Sequence, residues 1–195
     1  LLQEPKLSDP FCANGVKEVA DRLYQAKQKK EKVLVCGDYD ADGICATAIM
    51  VDALRSYGID CGFYIPNRFS EGYGLHENTV GLAKQKGYTL LITVDNGVKA
   101  KTALSFAHTM GIDVIVTDHH SMDEEVTCLQ LVHPTLMGES FTTLSGAGVA
   151  LMLSRALIGE KKEHVVLACV AAIADVMPLH KETRAIVKFG LSYLQ

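Results

Sequence analysis

The chain has 195 residues, of which 48% are hydrophobic and 22% charged, a balance that excludes an intrinsically disordered tract. A formal net charge of −4 excludes a globally basic surface, so any grip on a polyanion must come from local Lys and Arg, from bound metal, or from regions beyond this sequence. Six cysteines without a Cys-x-x-Cys pair, several of them in apolar runs, fit reduced buried thiols and a cytoplasmic setting better than a disulfide-built secreted fold.

The opening residues, Leu1–Asp9, are polar and carry no signal-peptide pattern. The longest apolar run, Val165–Ala174, is about half of what crosses a bilayer, so no membrane association is expected. Val16–Lys29 has helical spacing, and its cationic end, Lys27–Lys32, reads as a solvated helix terminus. An apolar strand pattern follows at Val33–Cys36. Ile44, Ala48, Val51 and Leu54 then recur at helical spacing in Gly43–Tyr57, with Gly58 placed to end the helix. The alternation continues: strand Cys61–Ile65, helix Leu75–Lys86, strand Thr89–Val94, helix Val98–His108, strand Asp113–Thr117 and a fifth candidate strand at Leu129–His133. Helical patterns at Gly146–Ile158, Lys162–Ala174 and from Lys181 close the chain. Strands alternating with helices predict an α/β fold: a parallel five-stranded sheet covered on both faces, followed by C-terminal helices. Residues 1–195 are expected to form one domain. The missing initial Met and an end inside a helical pattern suggest a fragment of a longer protein.

In open α/β sheets, ligands bind beyond the carboxyl ends of the strands. Here those ends are acidic. The first strand runs into Asp38-Tyr39-Asp40-Ala41-Asp42-Gly43, the third into Asp95-Asn96-Gly97 and the fourth into Asp118-His119-His120. Carboxylates and imidazoles gathered at one edge are costly to bury unless a cation holds them. A divalent metal is that cation, and the mixed donors suit ions such as Mn²⁺. Two ions roughly 3.5–4 Å apart would activate water for phosphoryl hydrolysis. An EF-hand loop starting at Asp38 is excluded because its twelfth position, which requires Glu, is Ile49. Arg68, just past a strand, could bind a phosphate or form a surface ion pair. Gly146 and Gly148 open a helix, where their N–H groups could meet a phosphate or their small size could serve packing. Tyr73 could contact a base or ribose, or pack its own loop. His76, His108, His133, His164 and His180 have no comparable context and read as structural or exposed.

These motifs carry a family resemblance. Val35–Gly43 resembles the first motif of the DHH phosphoesterase family, Thr93–Gly97 the middle one, and Thr117–His120 the Asp-His-His motif that names it. Ala172–Leu179 is similar to the fourth, which places Asp175 among the metal ligands. Pro66–Leu75, which includes Asn67, and Leu144–Ala150 are similar to stretches of the RecJ branch of single-strand exonucleases. The resemblance implies a phosphodiesterase using two Mn²⁺ or Mg²⁺ ions, hydrolysing single-stranded DNA 5′→3′ to mononucleotides in DNA repair and recombination. It implies Asp42 and Asp95 as ligands shared between the ions, Asp40 completing one site, and His119 with Asp175 the other. His120 would lie against the scissile phosphate, and Asp118 would orient the histidines. Many relatives carry His where this chain has Cys36, so either Asp38 or Cys36 completes a metal site, Asp38 being preferred. Asn67, Arg68, Tyr73, Gly146 and Gly148 are the substrate-binding candidates. Single-strand-binding protein and helicase are the implied partners, with further C-terminal domains closing over the site. Within the same chemistry, short oligonucleotides or cyclic dinucleotides are alternative substrates. A scaffold without catalysis would be expected to have lost metal ligands that are intact here.

Overall fold

The structure, a computed structural model, describes residues 4–68 and 72–195. Five strands, β1 (Val33–Cys36), β2 (Cys61–Tyr64), β3 (Leu90–Val94), β4 (Asp113–Thr117) and β5 (Gln130–Val132), form one parallel sheet in the order β2-β1-β3-β4-β5. The chain moves outward from β1 to β2 and returns on the other side of β1 as β3. The strand order therefore reverses between β1 and β3, where open α/β sheets hold their ligands.

Alternate side chains of each strand enter two separate apolar layers. Val33 and Val35 face one, Leu34 and Cys36 the other; Leu90, Ile92 and Val94 divide from Leu91 in the same way. Burial on both faces explains why the strands read as unbroken apolar runs. Helices α3 (Glu77–Gln85) and α4 (Lys101–Thr109) cover one face through Val80, Ala83, Ala103, Leu104 and Ala107. The other face carries α1 (Val16–Lys29), α2 (Ala41–Tyr57), the short α5 (Pro134–Met137) and α6 (Gly146–Ile158), with α7 (Lys162–Ala174) and α8 (Lys181–Tyr193) packed outside them. Of the last three helices, α6 thus belongs to the layer on the sheet, while α7 packs across α2 and α6 and carries α8 on its outer side. Residues 146–154 of α6 are all buried, as a helix that is apolar on every side must be. Each fully buried side chain such as Ile49, Met50 or Leu151 contributes about 1.5–3 kcal/mol.

Three helix starts differ from the sequence expectation for identifiable reasons, and the remaining boundaries agree to within one residue. Helix α2 starts at Ala41, two residues before the predicted Gly43, because the Asp40 carboxylate accepts the Gly43 N–H at 2.8 Å and caps it. Helix α3 starts at Glu77, and Leu75 instead packs beside Val80 as an N-terminal staple. Helix α4 starts at Lys101, because the Val98 N–H is donated to Asp118. Helix α5 and the 3₁₀ turns Pro10–Cys12 and Glu139–Phe141 are too short to show periodicity in sequence. Among the described residues, no helix is long and apolar enough to cross a membrane.

Candidate metal centre

The carboxyl ends of β1, β3 and β4 converge with the first turn of α2, the N-terminus of α6 and the C-terminus of α7. Asp38, Asp42, Asp95 and Asp118 form a buried floor, each at most 2% exposed. Asp40, His120 and Asp175 form an accessible rim. Three groupings, Asp38/Asp40/Asp95, Asp42/His119/Asp175 and Asp95/His119/His120, each offer ligand atoms within 4.8 Å of one another. All six expected metal ligands are present in them, and Asp95 is shared by two.

Asp95 departs most from ordinary protein chemistry. It takes a left-handed backbone conformation (φ 61°), which Asp tolerates better than most residues, and this turns its carboxylate inward. Both of its oxygens are buried without a hydrogen-bond partner among the described residues, as is Asp38 Oδ1. Burial first, and then the charges of Asp42 and Asp40, push its pKa up to about 10. Burial also raises Asp38 and Asp175. Buried carboxyl oxygens left without hydrogen bonds, and held near the neutral form until a cation offsets their burial, have the chemistry of a cation site, and carboxylate with imidazole suits Mn²⁺.

Asp42 is held differently. Its two oxygens accept the Gly146 and Ala147 N–H groups at 2.7 and 2.8 Å, so the N-terminus of α6 stabilises this charge. The Gly148 N–H goes to Ser145 Oγ at 3.2 Å. This corrects the expectation for Gly146 and Gly148: their N–H groups are committed within the protein and do not face a phosphate. A Cβ at residue 146 would lie 2.5 Å from Asp95 Cβ and Oδ1, so glycine serves close packing there. At residue 148 a Cβ would meet only Leu144.

His119 Nε2 points at three carboxylates, 3.1 Å from Asp95, 3.4 Å from Asp42 and 3.6 Å from Asp175. Asp175 reaches this cluster because α7 ends there. Met177 N–H bonds to Ala172 O and Val176 N–H to Ile173 O, a Schellman closure with Val176 at φ 54°.

Asp118 acts as the clamp of the turn. Its Oδ1 accepts the His119 and His120 N–H groups at 2.8 and 3.2 Å and lies 2.8 Å from His120 Nδ1, while Oδ2 accepts the Val98 N–H at 3.0 Å. Burial alone would raise its pKa, but the bonds from the His120 ring and from the Val98 and His120 backbone outweigh it and hold Asp118 below the ordinary range. The same Asp118 bond raises His120 above its usual value against the opposing effect of burial.

Two supporting residues escape a reading of the sequence. His133 is 2% exposed, with Nε2 2.9 Å from the His120 carbonyl and Nδ1 2.8 Å from Thr135 Oγ1. The sequence suggests no more than a structural or exposed role, and in the fold it anchors the turn that carries both histidines. Asn96 donates to the Cys36 and Val94 carbonyls at 3.0 and 2.9 Å and so ties the ends of β1 and β3 together. No spacing rule would have found His133. The Asp-Asn-Gly turn was a signal for Asn96.

Cys36 packs with the apolar layer under α3 and α4, and burial pushes its thiol up to about 12. Of the two candidates for completing the site, Asp38 is the one grouped with Asp40 and Asp95. Asn67 and Arg68 are exposed after β2, and the Arg68 guanidinium lies 5.5 Å from the ring of Tyr39, between Asp38 and Asp40. Of the Pro66–Leu75 segment, Phe69, Ser70 and Glu71 lie outside the described residues. Tyr73 faces His120 edge-on, with ring centroids 5.4 Å apart.

Residues 32–177 match the family model described as the DHH family, N-terminal domain. The chain is 43% identical over 191 residues to the single-stranded-DNA-specific exonuclease RecJ of Bacillus subtilis, covering 96% of this chain and 24% of that protein. It superposes on a solved structure of the exonuclease RecJ bound to manganese with TM-score 0.84 and 38% identity, covering 92% of this chain and 48% of that one. For RecJ of Thermus thermophilus in complex with Mn²⁺, the values are TM-score 0.83 and 35% identity, over 96% of this chain and 28% of the other. The chain thus spans about a quarter of the length of the curated relative from Bacillus.

Proposed function

The chain belongs to the DHH family, and from that premise we propose that it is the catalytic unit of a metal-dependent phosphodiesterase that hydrolyses single-stranded DNA 5′→3′ to mononucleotides. The observation that carries this reading is the meeting of Asp38, Asp40, Asp42, Asp95, His119 and Asp175 around oxygens of Asp95 that nothing among the described residues satisfies. The substrate class rests on the similarity to RecJ exonucleases across nearly the whole chain. Asp42, Asp95, Asp40, Asp38, His119 and Asp175 would hold two divalent ions, Mn²⁺ or Mg²⁺. When bound, such ions supply Lewis acidity at phosphorus and a nucleophile at neutral pH.

The protein's own contribution is preorganisation. Asp118 is a pure acceptor, so His120 must carry a proton on Nδ1, leaving Nε2 as the nitrogen available to substrate. With its pKa raised by Asp118, the ring is suited to donate from Nε2 to a phosphate oxygen and stabilise charge developing there. Arg68, whose guanidinium lies 5.5 Å from the Tyr39 ring, and the exposed Asn67 would supply polar groups for the strand's phosphates. No covalent enzyme intermediate is required. The protein would work in the cytoplasm in DNA repair and recombination, on strands delivered by helicase and single-strand-binding protein, with further domains enclosing the DNA. Six free cysteines agree with a reducing compartment.

The test is digestion of 5′-labelled single-stranded DNA with Mn²⁺ by wild type and by His119→Ala. Loss of more than about a hundredfold in rate, with thermal stability retained, is expected. Substantial activity in the variant, or in wild type stripped of divalent ions, would refute the assignment.

A further inference from the structure

Resting on the reading of the site as phosphodiester-cleaving, we infer that Tyr73 is a positioning residue: it holds the ring of His120 and the backbone of Asp95 in register through one phenolic oxygen. The Tyr73 hydroxyl donates to the Asp95 carbonyl at 3.0 Å and lies 3.0 Å from His120 Nδ1. The assignment of protons follows from what each partner can do. A backbone carbonyl only accepts, so the phenolic proton goes to Asp95. The Asp118 carboxylate, 2.8 Å from Nδ1, also only accepts, so Nδ1 carries hydrogen and shares it between Asp118 and the Tyr73 oxygen. The relay runs in one direction, from His120 Nδ1–H to the Tyr73 oxygen and from the Tyr73 hydroxyl to Asp95.

This relay removes the ring's remaining freedom. Asp118 alone leaves the imidazole able to pivot about a single bond. A second acceptor on the same N–H, with the phenol edge against the ring at an interplanar angle of 73°, fixes its plane and hence the direction of Nε2. The loop is shaped for this placement: the residues flanking Tyr73 are Gly72 and Gly74, with φ of 80° and 82°, a conformation other residues rarely adopt. Tyr73 thereby ties its loop to the His120 ring and to the backbone of Asp95.

The experiment compares wild type with Tyr73→Phe, which keeps the ring and removes only the oxygen. Steady-state digestion of single-stranded DNA with Mn²⁺ should show kcat lowered about ten- to hundredfold, with KM and Mn²⁺ affinity each within about twofold of wild type. In parallel, ¹H–¹⁵N spectra of histidine-labelled, metal-free protein should show a slowly exchanging His120 Nδ1–H in wild type, which exchanges fast in the variant. An unchanged kcat would overturn the inference. So would a raised KM at constant kcat, which would make Tyr73 a substrate contact, and so would an Nδ1–H signal indifferent to the substitution. If wild type left single-stranded DNA intact, the functional reading would fall, and the Nδ1–H signal would still decide the role of Tyr73.

Discussion

Gly146→Ala separates two roles that a glycine at a helix start can have. Alanine keeps the backbone N–H and is acceptable in a helix, so a residue serving only as an N–H donor would survive the change. In this structure the added methyl lies 2.5 Å from Asp95 Cβ and Oδ1 and 2.7 Å from Asp95 Cγ, against ordinary contact from 3.4 Å. Asp95 or the end of α6 must move by about 0.9 Å to relieve the contact. Crowding of this size in a packed interior costs about 1–3 kcal/mol, offset by up to about 1 kcal/mol of helix propensity. The functional loss should be larger than the loss of stability. A displacement near 1 Å in a reacting constellation lowers rate about a hundredfold, and here the displaced group is a fully buried carboxyl at the centre of the cluster. Mn²⁺ titration by calorimetry, DNA digestion and thermal melting on the same preparations measure the three effects. Gly148→Ala is the control, since its methyl would meet only the Leu144 side chain, at 3.0 Å. It should lose stability without losing metal. Wild-type Mn²⁺ affinity and wild-type turnover in Gly146→Ala would refute the packing argument.

Three further outcomes are expected. Asp95→Asn should stabilise the metal-free protein by about 1–2 kcal/mol in urea unfolding, because it replaces a buried acid whose oxygens make no hydrogen bond among the described residues and which faces the charges of Asp42 and Asp40; the same variant should lose the stabilisation that Mn²⁺ gives wild type. His164 lies buried between Ser154 Oγ (2.7 Å) and Asp52 (2.9 Å), and burial lowers its pKa against the pull of Asp52. The unfolded chain then binds more protons near pH 6, so stability falls as pH drops below the unfolded histidine value of about 6.5. Melting temperature should drop by about 2–4 °C between pH 7.5 and 5.5, and His164→Gln should flatten that slope. Val176 is β-branched, left-handed and 86% exposed, so it bears strain without burial to offset it. Val176→Gly should raise stability by about 0.5–1 kcal/mol in denaturant unfolding.

What the sequence disclosed and what it withheld divide along a physical line. Strand ends, helix spacing and the acidic turns after β1, β3 and β4 are local features, and local features leave a periodic or compositional trace. Asp38, Asp40, Asp42, Asp95, Asp118 and the two histidines could be placed at one edge before any coordinates, because parallel strands send their carboxyl ends the same way. Asp175 was different. Its apolar helix says nothing about a metal site, and only family resemblance singled it out. Gly146 shows the other limit. A glycine pair opening a helix suggests an anion site by general rule, and α6 does bind an anion with its N-terminal N–H groups. The anion is the protein's own Asp42, delivered from 104 residues away in sequence. The helix N-terminus stabilises the charge of a residue in the acidic cluster, so the N–H groups meet an anion, and it is not a phosphate. Which carboxylate fills such a site is decided by tertiary packing of α6 on α2, and neither helix's sequence encodes it alone. The same holds for His133 and Tyr73: each acts through hydrogen bonding to the His119–His120 turn, across 13 and 47 residues respectively. The acidic and histidine turns at the strand ends were legible; His133 and Tyr73, which hold the His119–His120 turn, became visible only when the fold brought those distant segments together.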